Sequence, residues 1–181
     1  MVSLSKVFLR ILKSKNLGAL RNNPNIQTDR NMKLGDFCNF QMNPELQSVQ
    51  IKSNVSLRNY ISLLVGKNAE LIIGENVFFN NYCSVNALHR IEIGDNTLFG
   101  EGVKIYDHNH QYTAEKIQHQ QFNTAPVKIG KNCWLGSNVT VLKGVTIGDN
   151  VIIGAGVLVY KDIPANSIVK LKQELVTESI K

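Results

Sequence analysis

The chain has 181 residues, a length that fits one domain with a core of its own. With 43% hydrophobic and 19% charged residues it reads as a soluble globular protein, and no stretch approaches the ~20 apolar residues of a membrane span. Three cysteines without C-x-x-C spacing suggest neither a disulfide framework nor a zinc knuckle. The formal charge of +6 is spread along the chain rather than gathered into a basic stripe, so no nucleic-acid partner is expected.

Residues 3–20 predict one amphipathic helix, with Val7, Phe8, Ile11 and Leu12 on one side and Lys6, Lys13 and Lys15 elsewhere. Such a helix packs on the rest of the protein or on a neighbouring subunit, or makes a peripheral contact with an anionic membrane. Arg10 and Lys13 break its apolar run, which is therefore not read as a signal peptide, and a cytoplasmic location is the default. Pro24 and the polar run from Asn22 to Arg30 set segment 1–22 apart from a domain at 23–168, and 169–181 reads as a C-terminal tail. From Leu34 to Leu71 a repeat shows only in fragments, such as Val65-Gly66-Lys67-Asn68-Ala69.

Beyond Leu71 the chain is periodic. Ile73-Gly74-Glu75-Asn76-Val77, Ile93-Gly94-Asp95-Asn96-Thr97, Ile129-Gly130-Lys131-Asn132-Cys133 and Ile147-Gly148-Asp149-Asn150-Val151 are variants of one unit. Steps of six residues join Ile129, Leu135, Val141, Ile147, Ile153 and Val159. Four residues after such aliphatics stand small or β-branched residues, among them Val77, Cys83, Val139, Val145 and Val157. Neither a helical period nor simple alternation produces this pattern. A triangular prism does: each hexapeptide gives one short strand and one corner, and three make an eighteen-residue coil that stays incomplete until its neighbours cover it. The fold class is therefore all-β. Cys83 and Cys133 fall at the small inward position and read as compact hydrophobes.

The repeat breaks at Ile105-Tyr106-Asp107-His108-Asn109-His110. Sixteen residues follow, Gln111 to Pro126, without an inward aliphatic pattern, and coils resume at Ile129. A protruding loop at 111–126 is expected, and loops longer than ~12–15 residues in a compact domain are usually functional or disordered. Two of the four histidines stand at its root, where an imidazole can take a proton from a hydroxyl near neutral pH. His89 and His119 lack that setting and read as surface residues.

These residues resemble the hexapeptide-repeat acetyltransferases, in particular the branch of galactoside, maltose, xenobiotic and polysaccharide O-acetyltransferases, over about residues 70–165. Asn109-His110 resembles the family's Asn-His pair at the head of a long loop, and Asn132-Cys133-Trp134-Leu135-Gly136-Ser137 its Asn-x-Trp-Ile-Gly signature. Ile153-Gly154-Ala155-Gly156 with Lys161-Asp162-Ile163-Pro164 resembles its closing coil and exit turn, and Asn80 its acceptor-side asparagine.

The resemblance implies a left-handed parallel β-helix that moves an acetyl group from acetyl-CoA to a sugar hydroxyl in surface-polysaccharide assembly, without a metal. His110 would be the general base. Gly136, Ser137, Ala155 and Lys161 would line the donor, with Asn80, His108 and Trp134 toward a saccharide or other small-molecule acceptor. A homotrimer with sites between subunits is implied, and Asp107 and Glu101 are candidates to orient His110. At the C-terminus Ala165-Asn166-Ser167-Ile168-Val169 stands where relatives carry Gly-x-Pro-Ala, which makes Lys170 and Lys172 candidates for the CoA phosphates. Alternative readings are an antibiotic O-acetyltransferase, a zinc γ-type carbonic anhydrase, which needs two histidine ligands five residues apart that this chain lacks, and a non-catalytic scaffold.

Overall fold

A computed structural model describes residues 17–20, 22–29, 31–172 and 177. Residues 17–20 are helical, and the rest of the helix expected over 3–20 lies outside the described residues. From Ile26 onward the chain winds as a left-handed parallel β-helix of about six turns.

Three parallel sheets form the prism. Face A stacks Ile26–Thr28, Ser48–Ile51, Glu70–Ile73, Arg90–Ile93, Val127–Ile129 and Thr146–Ile147. Face B stacks Lys33–Leu34, Ser56–Leu57, Phe78–Phe79, Leu98–Phe99, Trp134–Leu135, Ile152–Ile153 and Ile168–Val169. Face C stacks Asn39–Met42, Ser62–Val65, Ser84–Ala87, Lys104–Tyr106, Thr140–Val141 and Leu158–Val159. The aliphatic of each strand and the small residue of the next corner point inward, and both series are buried. Phe79 and Phe99 stack inside at 4.4 Å between centroids. Thr97 is the polar member of the small-residue series. Its hydroxyl donates to the Gly130 carbonyl at 3.0 Å and accepts from Cys133 N–H at 3.3 Å, which satisfies it in the core.

Coil length explains why the repeat is clear only in the second half. Equivalent residues are 23 apart at Asp36 and Asn59, 22 apart at Asn54 and Asn76, 20 apart at Asn76 and Asn96, and 18 apart at Lys131 and Asp149. The early coils have four-residue strands on faces A and C, so a six-residue search slips out of register there.

Corners between faces A and B place Asn54, Asn76, Asn96, Asn132, Asn150 and Asn166 in the left-handed backbone region, with φ from 55 to 60°. Asparagine tolerates this conformation better than other residues with a Cβ. Several of these side chains bond each other from coil to coil, as in Asn76 Nδ2 to Asn96 Oδ1 at 3.0 Å.

The expected loop at 111–126 is a β-hairpin. His108–Tyr112 pairs antiparallel with Ile117–Thr124, with His108 opposite Thr124 and His110 opposite Phe122. Its turn is closed by Thr113 N–H donating to the Lys116 carbonyl at 2.9 Å. Tyr112, Ile117, Phe122 and Thr124 suit a strand by propensity although nothing requires them to face the prism.

Candidate active site

The hairpin leaves the prism at the edge between faces C and A, and the departure removes backbone acceptors from the coil beneath. Asp107 replaces them. It points inward beyond Ile105, is fully buried, and accepts from Leu88 N–H at 2.9 and 3.0 Å and from His89 N–H at 2.7 Å. The same carboxylate meets His108 Nδ1 at 3.0 Å. Because an ionised carboxylate only accepts, this bond places the proton on His108 Nδ1. The hairpin base is tied down by Ala125 N–H to the Asp107 carbonyl at 2.9 Å and Gly144 N–H to the Ala125 carbonyl at 3.2 Å.

His108 and His110 lie two apart on one strand and so share a face of the hairpin. Phe122 sits against both, edge-on to His108 at 5.3 Å and tilted over His110 at 4.6 Å. His108 is half-buried, whereas His110 is exposed. Nδ1 of His110 lies 3.2 Å from the Gln118 carbonyl on the opposite strand. A carbonyl accepts only, so the bond puts the proton on Nδ1 and leaves Nε2 with a free lone pair facing outward. Of the two candidates to orient His110, Asp107 reaches His108 instead, and Glu101 stands on a different edge of the prism, between faces B and C. The Gln118 carbonyl and the Phe122 ring do the orienting, and neither was marked by any sequence signal beyond its place in the non-repeating segment.

The remaining site residues fall in two groups. Asn80, Gly136, Ser137 and Ala155 line the edge between faces B and C. A Cβ added at Gly136 would come within 2.7 Å of Ala155 N, so the coils that carry Gly136 and Ala155 are closely packed and low in side-chain bulk at this edge. Lys170 and Lys172 follow the last strand of face B onto this same edge. Lys161 sits instead on the hairpin's own edge, in a groove of about 260 Å³ shared with Tyr160, Pro164 and Val169 at the C-terminal end. Trp134 is exposed on face B between Leu98 and Ile152. Within one chain, then, the histidines and the flat edge do not meet.

The cysteines are buried. Burial pushes the Cys83 thiol up to about 11 and raises that of Cys133, so neither is a nucleophile near neutral pH. His89 and His119 are exposed. Among the described residues no three histidine, cysteine or carboxylate side chains converge as metal ligands, and no helix is long and apolar enough to cross a membrane.

Residues 126–161 match the family model described as the hexapeptide repeat of succinyl-transferase. Galactoside O-acetyltransferase of Escherichia coli (strain K12) is 33% identical over 131 residues, 66% of this chain and 64% of that protein. The putative colanic acid biosynthesis acetyltransferase WcaF of the same organism is 30% identical over 125 residues, 69% of this chain and 66% of that protein. The chain belongs to the hexapeptide-repeat acetyltransferase family. Its coils superpose on a solved member of the fold, the N-acyltransferase AntD from Bacillus cereus in complex with dTDP-4-amino-4,6-dideoxyglucose and coenzyme A. That match has a TM-score of 0.64 and 15% identity, and covers 94% of this chain and 89% of that one. This family member spans 64%, 53% and 55% of the first three curated relatives it matches.

Proposed function

We propose that this protein transfers an acetyl group from acetyl-CoA to a hydroxyl of a sugar destined for a surface polysaccharide, with His110 as general base. The observation that carries this reading is His110 itself: its Nδ1 is held by the Gln118 carbonyl and its Nε2 is free at the hairpin root. Nε2 accepts the proton of the acceptor hydroxyl while that oxygen attacks the thioester carbonyl. The tetrahedral intermediate collapses with loss of the CoA thiolate, which takes the proton back from the imidazolium. Thiolate leaves readily, so no acyl-enzyme is needed, and holding the two substrates together supplies much of the acceleration. His108 supports the reaction from beneath, anchored by Asp107.

The donor fits the flat edge. Gly136, Ser137 and Ala155 offer little side-chain bulk to an extended amide-bearing arm, and Lys170 and Lys172 bring two cations to the same edge for its phosphates. Lys161 supplies a further cation beside the hairpin, and Trp134 offers an indole face near the thioester. Because the histidines and this edge are apart in one chain, the complete site is formed between subunits of a homotrimer, with the hairpin of one reaching the edge of the next. Asn80 stands on that edge as an acceptor contact, its Nδ2 donor left over while its Oδ1 accepts from Asn81 N–H at 2.9 Å. Relatives named as putative lipopolysaccharide and colanic acid biosynthesis acetyltransferases favour a polysaccharide setting over an antibiotic acceptor.

The test is acetyl-CoA-dependent thiol release by purified protein against monosaccharide, nucleotide-sugar, oligosaccharide and antibiotic acceptors. Release that requires a sugar acceptor supports the reading. Release only with an antibiotic, or with none of them, overturns it.

A further inference from the structure

The edge between faces B and C departs from the rule that governs the edge between A and B. At the corner position with left-handed backbone, the A–B edge places asparagine six times. The B–C edge places Phe37 (φ 56°), Tyr60 (φ 60°) and Tyr82 (φ 62°), and only then Gly102, Asn138 and Gly156. Large aromatic residues are strained in this region, and strain of this kind persists where the surroundings enforce it and collects at ligand-binding sites.

Stacking offsets part of the strain. Phe37 and Tyr60 stack at 5.0 Å with planes 8° apart, and Tyr60 and Tyr82 at 4.7 Å with planes 9° apart. Yet the rings are not buried by it: Phe37 is 45%, Tyr60 42% and Tyr82 53% exposed. The strip ends two residues beyond Asn80, on the edge that the proposed function gives to the acceptor. Gly102 follows Tyr82 in the stack. It has no side chain, so that corner adds no fourth ring beyond Tyr82.

Amides flank the rings. Asn59 Oδ1 accepts from Asp36 N–H at 2.8 Å and Asn81 Oδ1 from Asn59 N–H at 3.1 Å. Each amide oxygen is thus engaged, which leaves the NH₂ group as the donor end of that side chain. Stacking covers the ring faces within the strip, so its exposed parts are ring edges and the outer faces of the two end rings. With the amides beside them these suit the hydroxyls of a saccharide, with a pyranose C–H face against an end ring.

We infer that Phe37, Tyr60 and Tyr82 form an accessory saccharide subsite, and that the acceptor is an oligosaccharide or polysaccharide whose units beyond the reacting one run along this strip. The inference rests on the proposed sugar acceptor and narrows it from a single sugar to a chain.

The experiment uses the full chain with Phe37, Tyr60 and Tyr82 all changed to Asn, which suits the left-handed backbone. The folded state should therefore persist, with a melting temperature equal to or above that of the unaltered protein. Gluco- and N-acetylglucosamine oligosaccharides of one to six units are titrated without CoA by saturation-transfer NMR, and oligomeric state is followed by light scattering. In the unaltered protein, affinity should rise about tenfold or more between one and four units, and the triple variant should lose that gain. Length-independent affinity, or a gain that survives in the variant, would overturn the subsite. So would dissociation of the oligomer in the variant, which would make the strip a subunit contact. Length-dependent binding that needs the three rings, in a protein that acetylates none of the acceptors, would sink the proposed reaction and leave the subsite standing.

Discussion

Asp107 stands where the interior of the prism otherwise takes an aliphatic residue, as Ala87 does one coil below. Its carboxylate meets three donors, two from the backbone of Leu88 and His89 and one from His108. Asp107→Ala would take the acceptor from the half-buried Leu88 and His89 N–H groups and remove a bond to His108, at about 1 kcal/mol or more each. We expect a loss of at least about 2 kcal/mol in chemical denaturation, together with weakened order at the hairpin root. His110→Ala touches no such network. It should unfold at the same denaturant concentration as the unaltered protein while kcat falls by at least ~10²-fold, the lower end for loss of a general base. His108→Ala should cost stability through the lost Asp107 bond and reduce turnover less; an inactive His108→Ala beside an active His110→Ala would transfer the role of base to His108. Acid probes a further residue. The backbone N–H of Glu75, then Lys131 and Lys52, hold the Asp95 carboxyl below its ordinary value of 3.8 against the opposing effect of burial. A carboxylate lowered by folding stabilises the native state above its unfolded value, and that contribution disappears as pH falls through the native value. Asp95→Asn should therefore lower stability near neutral pH by that contribution and flatten the profile below about pH 4, where the two proteins converge. An unchanged acid limb would mean that Asp95 contributes nothing there.

Elements differ in how plainly the sequence announces them. The coils after Ile73 are legible because one residue type recurs at one spacing, and the inward positions from Ile129 to Val159 are all buried. The first coils are hidden because their 22- and 23-residue length carries the same physics at a period the hexapeptide does not share. The hairpin is legible only as an interruption. Its strands take their pairing from each other, not from the prism, so no inward aliphatic marks them. For the same reason Gln118, whose contribution is a backbone carbonyl, leaves no trace in residue type. His110, Asn80, Gly136, Ser137 and Ala155 could be marked by resemblance, but not their division between two edges, which depends on which corner each coil puts them at. The hairpin is fastened to the prism through its root, around Asp107, Ala125 and Gly144. Replacing residues 112–120 with a two-residue Asn-Gly turn removes the Gln118 carbonyl and leaves that root intact. Global stability should shift by no more than about 0.5 kcal/mol, as for surface changes, while kcat drops at least about tenfold because His110 loses the bond that fixes its tautomer. If kcat survives the exchange, the carbonyl is not what prepares His110.

At the scale of the whole molecule the shape of the prism sets what one chain can bring together. A solenoid with three flat faces holds its edges apart, so a reaction that needs residues from two edges must use two copies of the chain. Asn80 lies on the edge between faces B and C and His110 on the hairpin rising between C and A, and no rearrangement of side chains closes that separation within one chain. In the proposed cyclic assembly each copy offers its hairpin to one neighbour and its flat edge to the other. The arrangement makes a prediction that activity measurements on either variant alone do not. His110→Ala and Asn80→Ala proteins should each be nearly inactive. When the two proteins are unfolded together in equal amounts and refolded, a site is complete only where an Asn80→Ala subunit gives its hairpin to a His110→Ala subunit. Random assembly of a three-membered ring makes about a quarter of the sites complete, so kcat per chain should recover to about a quarter of the unaltered value. Sites built within single chains would show no recovery, because every chain in the mixture carries one defect. Recovery that falls away when the His110→Ala preparation is replaced by a double variant carrying both changes would tie the signal to the complementary pair of edges.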